Sequence, residues 1–456
     1  MSKVTLLALP SMGSFVMGYL QNIVIGLCIG ALHDAELLAS VGLGSLVSNL
    51  LGYSIGIGLL AVLDSLVAQS AGSKNSKIAT LQLARGRLVI FAISIPCTLV
   101  MLVSGKLLLL AGQDPIASAH SQLFVTSTAI GLLPCFLFTA DSAFLRGYHV
   151  NTPILIVNIL SSIFQAVSCI AMVNFRGMGL WGAGLSISIA HWMRWIFLQA
   201  YMHLADHSAH PETAEACGWR PFLKSSAEAL DAKTLIDFTI LALPSAALMW
   251  CEWWVYELQA LIAGWLGISA LAAHVVCCNV EIMAYMIPLG VQQATAVLVG
   301  NSLGAGRPRM AIQYSQLSVL LGLILAMSVC SLIVLYRADL AFIYSIDPEV
   351  LLLLDETLKI VAAYHILAAT NCVLEGVLRG MRLQSEAVSM KIAAMVLYQL
   401  PAAYLISSWL GLSGIWYAAV SGLIFTIAGY GLILFRANIQ ECSVLVMKEN
   451  FEVLVL

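Results

Sequence analysis

Long apolar stretches dominate this chain, and short polar or glycine-containing connections separate them. A helix of about 20 apolar residues crosses the ~30 Å hydrocarbon core of a bilayer. Twelve stretches reach about that length, which predicts an all-α integral membrane protein with twelve transmembrane helices. The predicted spans are residues 5–30, 37–66, 77–104, 117–141, 153–174, 180–204, 234–263, 268–299, 309–336, 349–376, 385–408 and 413–436.

Composition supports the membrane class. Of 456 residues, 61% are hydrophobic and 10% are charged, whereas soluble domains carry about 25% charged residues. The net charge of −3 and the absence of a basic run argue against a nucleic-acid partner. Most Lys and Arg residues, Lys391 among them, fall at the termini or the even-numbered connections. The positive-inside rule then predicts a multi-pass protein with both termini in the cytoplasm; plasma membrane and vacuolar or other organellar membrane both stay open.

Short motifs recur along the chain about 234 residues apart. They include Leu-Ala-Leu-Pro-Ser at 7–11 and 241–245, Asp-Pro at 114–115 and 347–348, and Leu-Arg-Gly at 145–147 and 378–380. Each copy contains six spans and enters the membrane from the same side, as in transporters built from parallel repeats. The predicted domains are an N-terminal lobe 1–205, a cytoplasmic linker 206–233, a C-terminal lobe 234–441 and a cytoplasmic tail 442–456.

Two six-helix lobes predict a central cleft between them. Rocking of one lobe against the other would expose this cleft to alternate sides of the membrane, which indicates transport rather than conduction. The tail is too short to form a further span, so twelve helices are expected rather than thirteen.

Glutamates inside predicted spans mark the candidate site. A carboxylate near the bilayer centre costs roughly 2.5–3.5 kcal/mol on insertion scales, so Glu252, Glu257 and Glu281 call for a function. The helical rise places Glu252 and Glu281 near the midplane and Glu257 closer to the outer surface. Burial and a neighbouring carboxylate both favour the protonated form of a carboxyl group. A proton and a cationic solute could therefore compete for this site, unless the glutamates are structural.

Other polar residues in the spans have less specific roles. Glu375 precedes Arg379 by four residues, the spacing of an ion pair within one helix. Asp141 is the first-copy counterpart of Glu375, and Arg146 lies nearby in sequence.

Asp64 and Gln69 at the end of the second span are expected to pack or to gate. Arg194 in the sixth span is expected to snorkel, to pair with a carboxylate, or to shape selectivity by repelling cations. Trp253 and Tyr256 flank Glu252 and could stack on a flat organic cation; packing or lipid contact is an equal alternative.

Enzyme motifs are missing from the sequence. It contains no glycine-rich phosphate loop followed by Lys and Ser or Thr, no nucleophile elbow, and no Cys or His pair at metal-binding spacing. A non-enzyme without a bound metal or organic cofactor is therefore expected.

Six stretches match the pattern of a known family: Leu63-Asp64-Ser65-Leu66 with Gln69, Gly112-Gln113-Asp114-Pro115, Cys251 to Glu257, Met286-Ile287-Pro288-Leu289-Gly290, Gly300 to Gly306, and Gly376 to Gly380. Through them the chain resembles the eukaryotic branch of the multidrug and toxic compound extrusion (MATE) family along nearly its whole length. The resemblance implies a V-shaped pair of six-helix bundles. It also implies an antiporter that expels organic cations or amphiphilic solutes in exchange for protons, or for Na⁺ in some members.

Residue by residue, Glu252 matches the helix-7 glutamate that the family uses for coupling and substrate binding, and Glu257 matches its neighbour. Two positions depart from the family pattern. Asn279 stands where some animal members carry a helix-8 glutamate, with Glu281 two residues later. Ala368 stands at the family's helix-10 acid; Glu375 lies seven residues further along, and whether it replaces that acid is open.

The sequence thus predicts a monomeric secondary antiporter with Glu252 as the main proton- and cation-binding group. One alternative is a flippase of the same superfamily that moves a lipid-linked or amphipathic substrate. Another is a membrane scaffold that transports nothing.

Overall fold

A computed structural model of the chain describes residues 2–32, 35–204, 229–344, 347–444 and 446. Within these ranges the backbone is helical almost throughout and contains no β-strand. Helices suit the apolar composition, because in lipid every backbone N–H and C=O group must be hydrogen-bonded within the protein. Most of the predicted linker 206–233 and of the predicted tail 442–456 lies outside the described residues.

The described part of the first half of the chain consists of ten α-helices. In chain order, α1 is Ser2–Gly30, α2 Ala35–Ser48, α3 Ser54–Leu60, α4 Leu63–Gly72, α5 Ser76–Leu102, α6 Ser104–Leu110, α7 Pro115–Ala129, α8 Leu132–Gly147, α9 Thr152–Ile170 and α10 Gly179–Leu204. π-helical turns at Asn49–Tyr53 and Ala171–Phe175 directly follow α2 and α9.

The second half adds eight α-helices among the described residues. They are α11 Ala232–Trp265, α12 Ile268–Gly304, α13 Pro308–Leu335, α14 Arg337–Tyr344, α15 Pro348–Gly380, α16 Gln384–Lys391, α17 Leu400–Leu410 and α18 Leu412–Arg436. A longer π-helical segment, Ile392–Gln399, joins α16 to α17.

The predicted spans coincide with helices. By length and composition, nine helices in the described ranges could cross a membrane, or ten if the bent pair α7–α8 forms one span. The two other predicted spans, 180–204 and 349–376, lie in α10 and α15, which are 26 and 33 residues long. The prediction of an all-α chain is confirmed.

Both halves repeat the same local backbone features. Asp114 and Asp347 each cap the helix that follows with a side-chain oxygen, and a proline comes next in both cases. Residues with positive φ also recur 232 to 234 positions apart, in the pairs Lys74 and Gly306, His149 and Arg382, and Gly177 and Gly411. Because positive φ is uncommon outside glycine, these matches support a duplicated fold.

The described residues form two compact units. The N-terminal unit holds the described part of Val16–Ala246, and the C-terminal unit holds that of Ala247–Glu449 together with the start of the chain up to residue 15. The boundaries fall inside α1 and α11, and each of these helices contains a proline, Pro10 or Pro244. A proline inside a helix removes one backbone hydrogen bond and favours a kink. The predicted two-lobe division around a cytoplasmic linker stays a prediction.

Packing of α12 against α15 organises the C-terminal unit, and these two helices contact each other more extensively than any other described pair. Their backbones meet at Gly376, where a Cβ atom would lie 2.5 Å from the carbonyl oxygen of Gln292. Nearby, α1 crosses α12 at Gly290, where a Cβ atom would lie 2.4 Å from the backbone nitrogen of Met12. This close packing holds the residue before Gly376, Glu375, beside α12.

Candidate transport site

Glu252 lies in α11, and its side chain is 11% exposed. Its Oε2 atom accepts a hydrogen bond from Nζ of Lys391 at 3.1 Å. Lys391 is the last residue of α16 and is fully buried. Its assignment to a cytoplasmic connection is therefore wrong: the lysine side chain points into the C-terminal unit.

Glu375 of α15 binds the same ammonium group more closely. Its Oε1 atom lies 2.5 Å from Nζ of Lys391, and the carboxylate is 1% exposed. Tyr430 and Asn371 donate to Oε1 at 3.2 Å each, and Gln292 donates to Oε2 at 3.4 Å. Several donors thus hold this buried carboxylate in place.

The predicted pair of Glu375 and Arg379 is present only as a long contact. Nη2 of Arg379 lies 3.9 Å from Oε2 of Glu375, which is farther than the ammonium of Lys391. Sequence spacing identified one partner of Glu375, but its closest partner comes from another helix.

Glu252, Glu375 and Lys391 are called the acid–lysine cluster below. With Arg379 included, two carboxylates face two cations, so the formal charges balance. Balance matters, because an unpaired buried ion costs several kcal/mol. Chemically, the cluster offers one partly exposed carboxylate, that of Glu252, which shares its counter-ion with a deeper carboxylate.

Glu281 of α12 contacts a histidine. Both of its carboxylate oxygens lie 3.2 Å from Nδ1 of His365 in α15, and both side chains are fully buried. The expectation that Glu252 and Glu281 act on each other as neighbouring carboxylates stays a prediction. His365 was missed, although a histidine in an apolar span, one turn before Ala368, is a visible polar signal.

The side chains of the remaining predicted residues of α11 and α12 point in different directions. The hydroxyl of Tyr256 is 2.9 Å from that of Tyr364 and so faces the interior of the unit. Glu257 is exposed and Trp253 is 38% exposed, whereas Asn279 is half-buried. The structure separates Glu257 from the acid–lysine cluster, as expected for a position five residues from Glu252 on a helix.

Two buried ion pairs lie in the N-terminal unit. Asp64 accepts hydrogen bonds from Arg146, with Nη2 at 2.8 Å and Nε at 2.9 Å. Asp141 instead pairs with Arg87 and accepts a hydrogen bond from Trp195 at 3.2 Å. Arg146, the basic residue near Asp141 in sequence, therefore pairs with a different carboxylate, because the nearest residue in sequence is not always the nearest in space.

Among the described residues, no carboxylate pairs with Arg194, and its side chain does not reach the surface. Its side chain is buried, Nη2 donates to Oε1 of Gln21 at 2.8 Å, and the guanidinium lies 5.8 Å from the centre of the Phe138 ring. Gln69, at the end of α4, is fully buried, as expected for a packing residue.

Known proteins match the chain over most of its length. The MatE family model matches residues 10–171 and again residues 244–405. The two matched segments start 234 residues apart, which confirms the internal duplication.

Curated relatives are longer than this chain. Multidrug and toxin extrusion protein 2 of Oryctolagus cuniculus is 31% identical over 365 residues, covering 80% of this chain and 59% of that protein. Multidrug and toxin extrusion protein 1 of Homo sapiens is 28% identical over 421 residues, covering 92% and 72%. The chain thus spans about three fifths to three quarters of these relatives.

Solved structures show the same fold. The eukaryotic MATE transporter AtDTX14 has a TM-score of 0.88 at 22% identity, with 98% of both chains covered. An outward-facing multidrug resistance MATE family transporter has a TM-score of 0.86 at 17% identity, with 96% of both chains covered. The repeated family match and these likenesses lead to one conclusion: the chain belongs to the MATE family of multi-pass membrane transporters.

Proposed function

We propose that this protein exports organic cations across a membrane in exchange for protons, and that Glu252 binds both ions. The observation that carries the proposal is the position of Glu252 at the more exposed end of the acid–lysine cluster. The names of the relatives, multidrug and toxin extrusion proteins, support this substrate class. Na⁺ is the alternative coupling ion.

Competition at one carboxylate is the physical basis of exchange. A proton or an organic cation at Glu252 must replace the hydrogen bond that Lys391 donates to it. Because the same carboxylate serves both ligands, binding of one opposes binding of the other. Opposed binding at one site, combined with access to alternate sides, produces antiport.

Glu281 and His365 are proposed as a second proton-holding pair. Both side chains are fully buried, and Nδ1 of His365 contacts the carboxylate. Nε2 of His365 is buried and has no hydrogen-bond partner in the described part of the chain. A carboxylate joined to an imidazole can hold one proton in either of two places.

Aromatic side chains next to Glu252 favour a flat organic cation. Trp250 and Trp254 stack with ring centres 6.0 Å apart and an interplanar angle of 5°. Trp253 is 38% exposed and leaves part of its ring accessible. Tryptophan faces attract cations through their ring quadrupole.

Rocking of the predicted lobes, 1–205 and 234–441, is proposed to alternate access to the site. The distribution of basic residues favours cytoplasmic termini. One chain carries both copies of the repeat, so a monomer is the expected functional form.

A proteoliposome assay tests the proposal. An imposed pH gradient is expected to drive uptake of radiolabelled tetraethylammonium by the wild-type protein. Glu252→Gln should lower this flux to that of protein-free liposomes, whereas Glu356→Gln, which changes an exposed glutamate of α15, should leave it intact. A parallel experiment with a Na⁺ gradient identifies the coupling ion.

Each alternative predicts a distinct result. Absence of gradient-driven flux in the wild-type protein would refute antiport of this cation, and normal flux in Glu252→Gln would refute the site. Movement of a fluorescent phospholipid between leaflets without cation flux would favour the flippase. Neither activity would favour the scaffold.

A further inference from the structure

The ammonium group of Lys391 ties three helices together. It ends α16, contacts Glu252 on α11 at 3.1 Å, and contacts Glu375 on α15 at 2.5 Å. Its side chain is fully buried, so these contacts are shielded from solvent and from salt. Removing one partner of such a buried ion pair is strongly destabilising, because the other charge is left uncompensated.

The two contacts of Lys391 are not equivalent. Glu375 is 1% exposed, lies closer to the ammonium, and also accepts hydrogen bonds from Tyr430 and Asn371. Glu252 is 11% exposed, and Lys391 is the one hydrogen-bond donor to its side chain within the described ranges. A ligand that reaches the cluster will therefore contact Glu252 first. Lys391 can remain paired with Glu375 when the ligand occupies Glu252.

We infer that Lys391 is an internal counter-ion that locks α11 in the unloaded carrier and releases it when Glu252 binds a proton or an organic cation. The inference rests on the proposed function. Without a ligand, the negative charge of Glu252 is balanced by Lys391 and α11 is tied to α15 and α16. A bound proton or cation neutralises Glu252, and the ammonium then stays with Glu375.

The position of the contact between Glu252 and Lys391 explains why its release would matter. The boundary between the compact units falls in α11 at Ala246 and Ala247, a little over one turn before Glu252. Lys391 itself is followed at once by the π-helical segment Ile392–Gln399, and π-helical segments are frequent at functional sites. Loss of the contact between Glu252 and Lys391 removes a constraint on α11, the helix that contains this boundary.

An exchange assay tests the lock. The lock suppresses the return of the empty carrier, a step that net efflux requires and that exchange does not. Proteoliposomes are loaded with radiolabelled tetraethylammonium at equal alkaline pH on both sides, where protons are scarce. Efflux into unlabelled tetraethylammonium is compared with efflux into buffer without it. For wild type, exchange should exceed net efflux by about tenfold, within the range of typical coupling between two states.

The decisive variant is Lys391→Met combined with Glu375→Gln, which removes the lock and leaves the net charge of the cluster with Arg379 unchanged. Net efflux should rise until its ratio to exchange approaches one. The matched control is Lys359→Met with Asp355→Asn, which neutralises an exposed pair of α15 with the same chemistry at 2.8 Å; its ratio should equal that of wild type. If the decisive variant does not elute as a single species, Lys391→Met alone is used, since Arg379 and Tyr430 still contact Glu375.

The outcomes separate the two claims. A wild-type ratio near one, or a wild-type ratio kept by the folded decisive variant, overturns the lock while the proposed function stands. Absence of any cation flux in the wild-type protein overturns the proposed function and the lock together.

Discussion

Replacing Glu375 with glutamine should weaken cation binding at Glu252, although the substitution leaves the Glu252 carboxylate in place. In the native cluster, a cation that takes Glu252 can displace the ammonium of Lys391 fully onto Glu375, 2.5 Å away. In Glu375→Gln that second carboxylate is gone. The arriving cation must then leave Lys391 buried without its counter-ion.

The size of the effect follows from the geometry. At 2.5 Å and an effective dielectric constant of about 20, the attraction between Lys391 and Glu375 is about 7 kcal/mol. Desolvation and the carbonyl oxygen of the new glutamine offset part of this, and unpairing a buried charge typically costs about 3–5 kcal/mol. Taking about 3 kcal/mol, and tenfold per 1.4 kcal/mol, the KM for tetraethylammonium should rise about hundredfold.

The assay is saturation of tetraethylammonium uptake in proteoliposomes, with Glu356→Gln as the control. Adding Lys391→Met to Glu375→Gln should bring KM back to within about threefold of wild type, because these two residues act as a coupled pair. An unchanged KM in Glu375→Gln would mean that Lys391 does not compete with the substrate. A raised KM that the second substitution fails to correct would mean that Glu375 acts by another route.

Two stability predictions follow from other contacts. Gly376→Ala should lower the free energy of unfolding by about 1–3 kcal/mol, because the new Cβ would lie 2.5 Å from the carbonyl oxygen of Gln292; thermal unfolding in detergent measures this. Gly431→Ala, at a position open to 4 Å, is its control, and equal stability of the two variants would contradict the packing argument. Asp64→Asn should cost about 3–5 kcal/mol in the same assay, because it leaves Arg146 buried without its carboxylate. Adding Arg146→Met should recover part of that loss; a further drop would refute the ion-pair explanation.

The helices could be predicted from the sequence because hydropathy and length decide which stretches can cross a bilayer. Repeated motifs predicted the duplication, which the paired family match confirms. Glu252 stood out for a related reason: a glutamate within a long apolar stretch is too costly to be incidental.

The basic residues that pair with the buried carboxylates could not be predicted in the same way. Lys391 lies near one end of a predicted span, so hydropathy assigns it to a connection; only the packing of α16 brings it to Glu252, 139 residues away in sequence. Spacing along one helix suggested Arg379 for Glu375, and Lys391 from another helix is closer. Asp141 likewise pairs with Arg87 of another helix, although Arg146 lies nearer in sequence. A periodicity argument covers neighbours on one helix, whereas side-chain pairing depends on how helices pack.

Asp141 and Glu375 lie in the helices that end with the repeated Leu-Arg-Gly motif, yet their closest counter-ions come from helices that do not correspond in the repeat: Arg87 of α5 and Lys391 of α16. The arginines of the two motifs differ as well, because Arg146 pairs with Asp64 whereas Arg379 lies 3.9 Å from Glu375. The duplication thus repeats the helices but not the charge pairs. The effect of a charge substitution in one half therefore gives no guide to the effect of its counterpart in the other half.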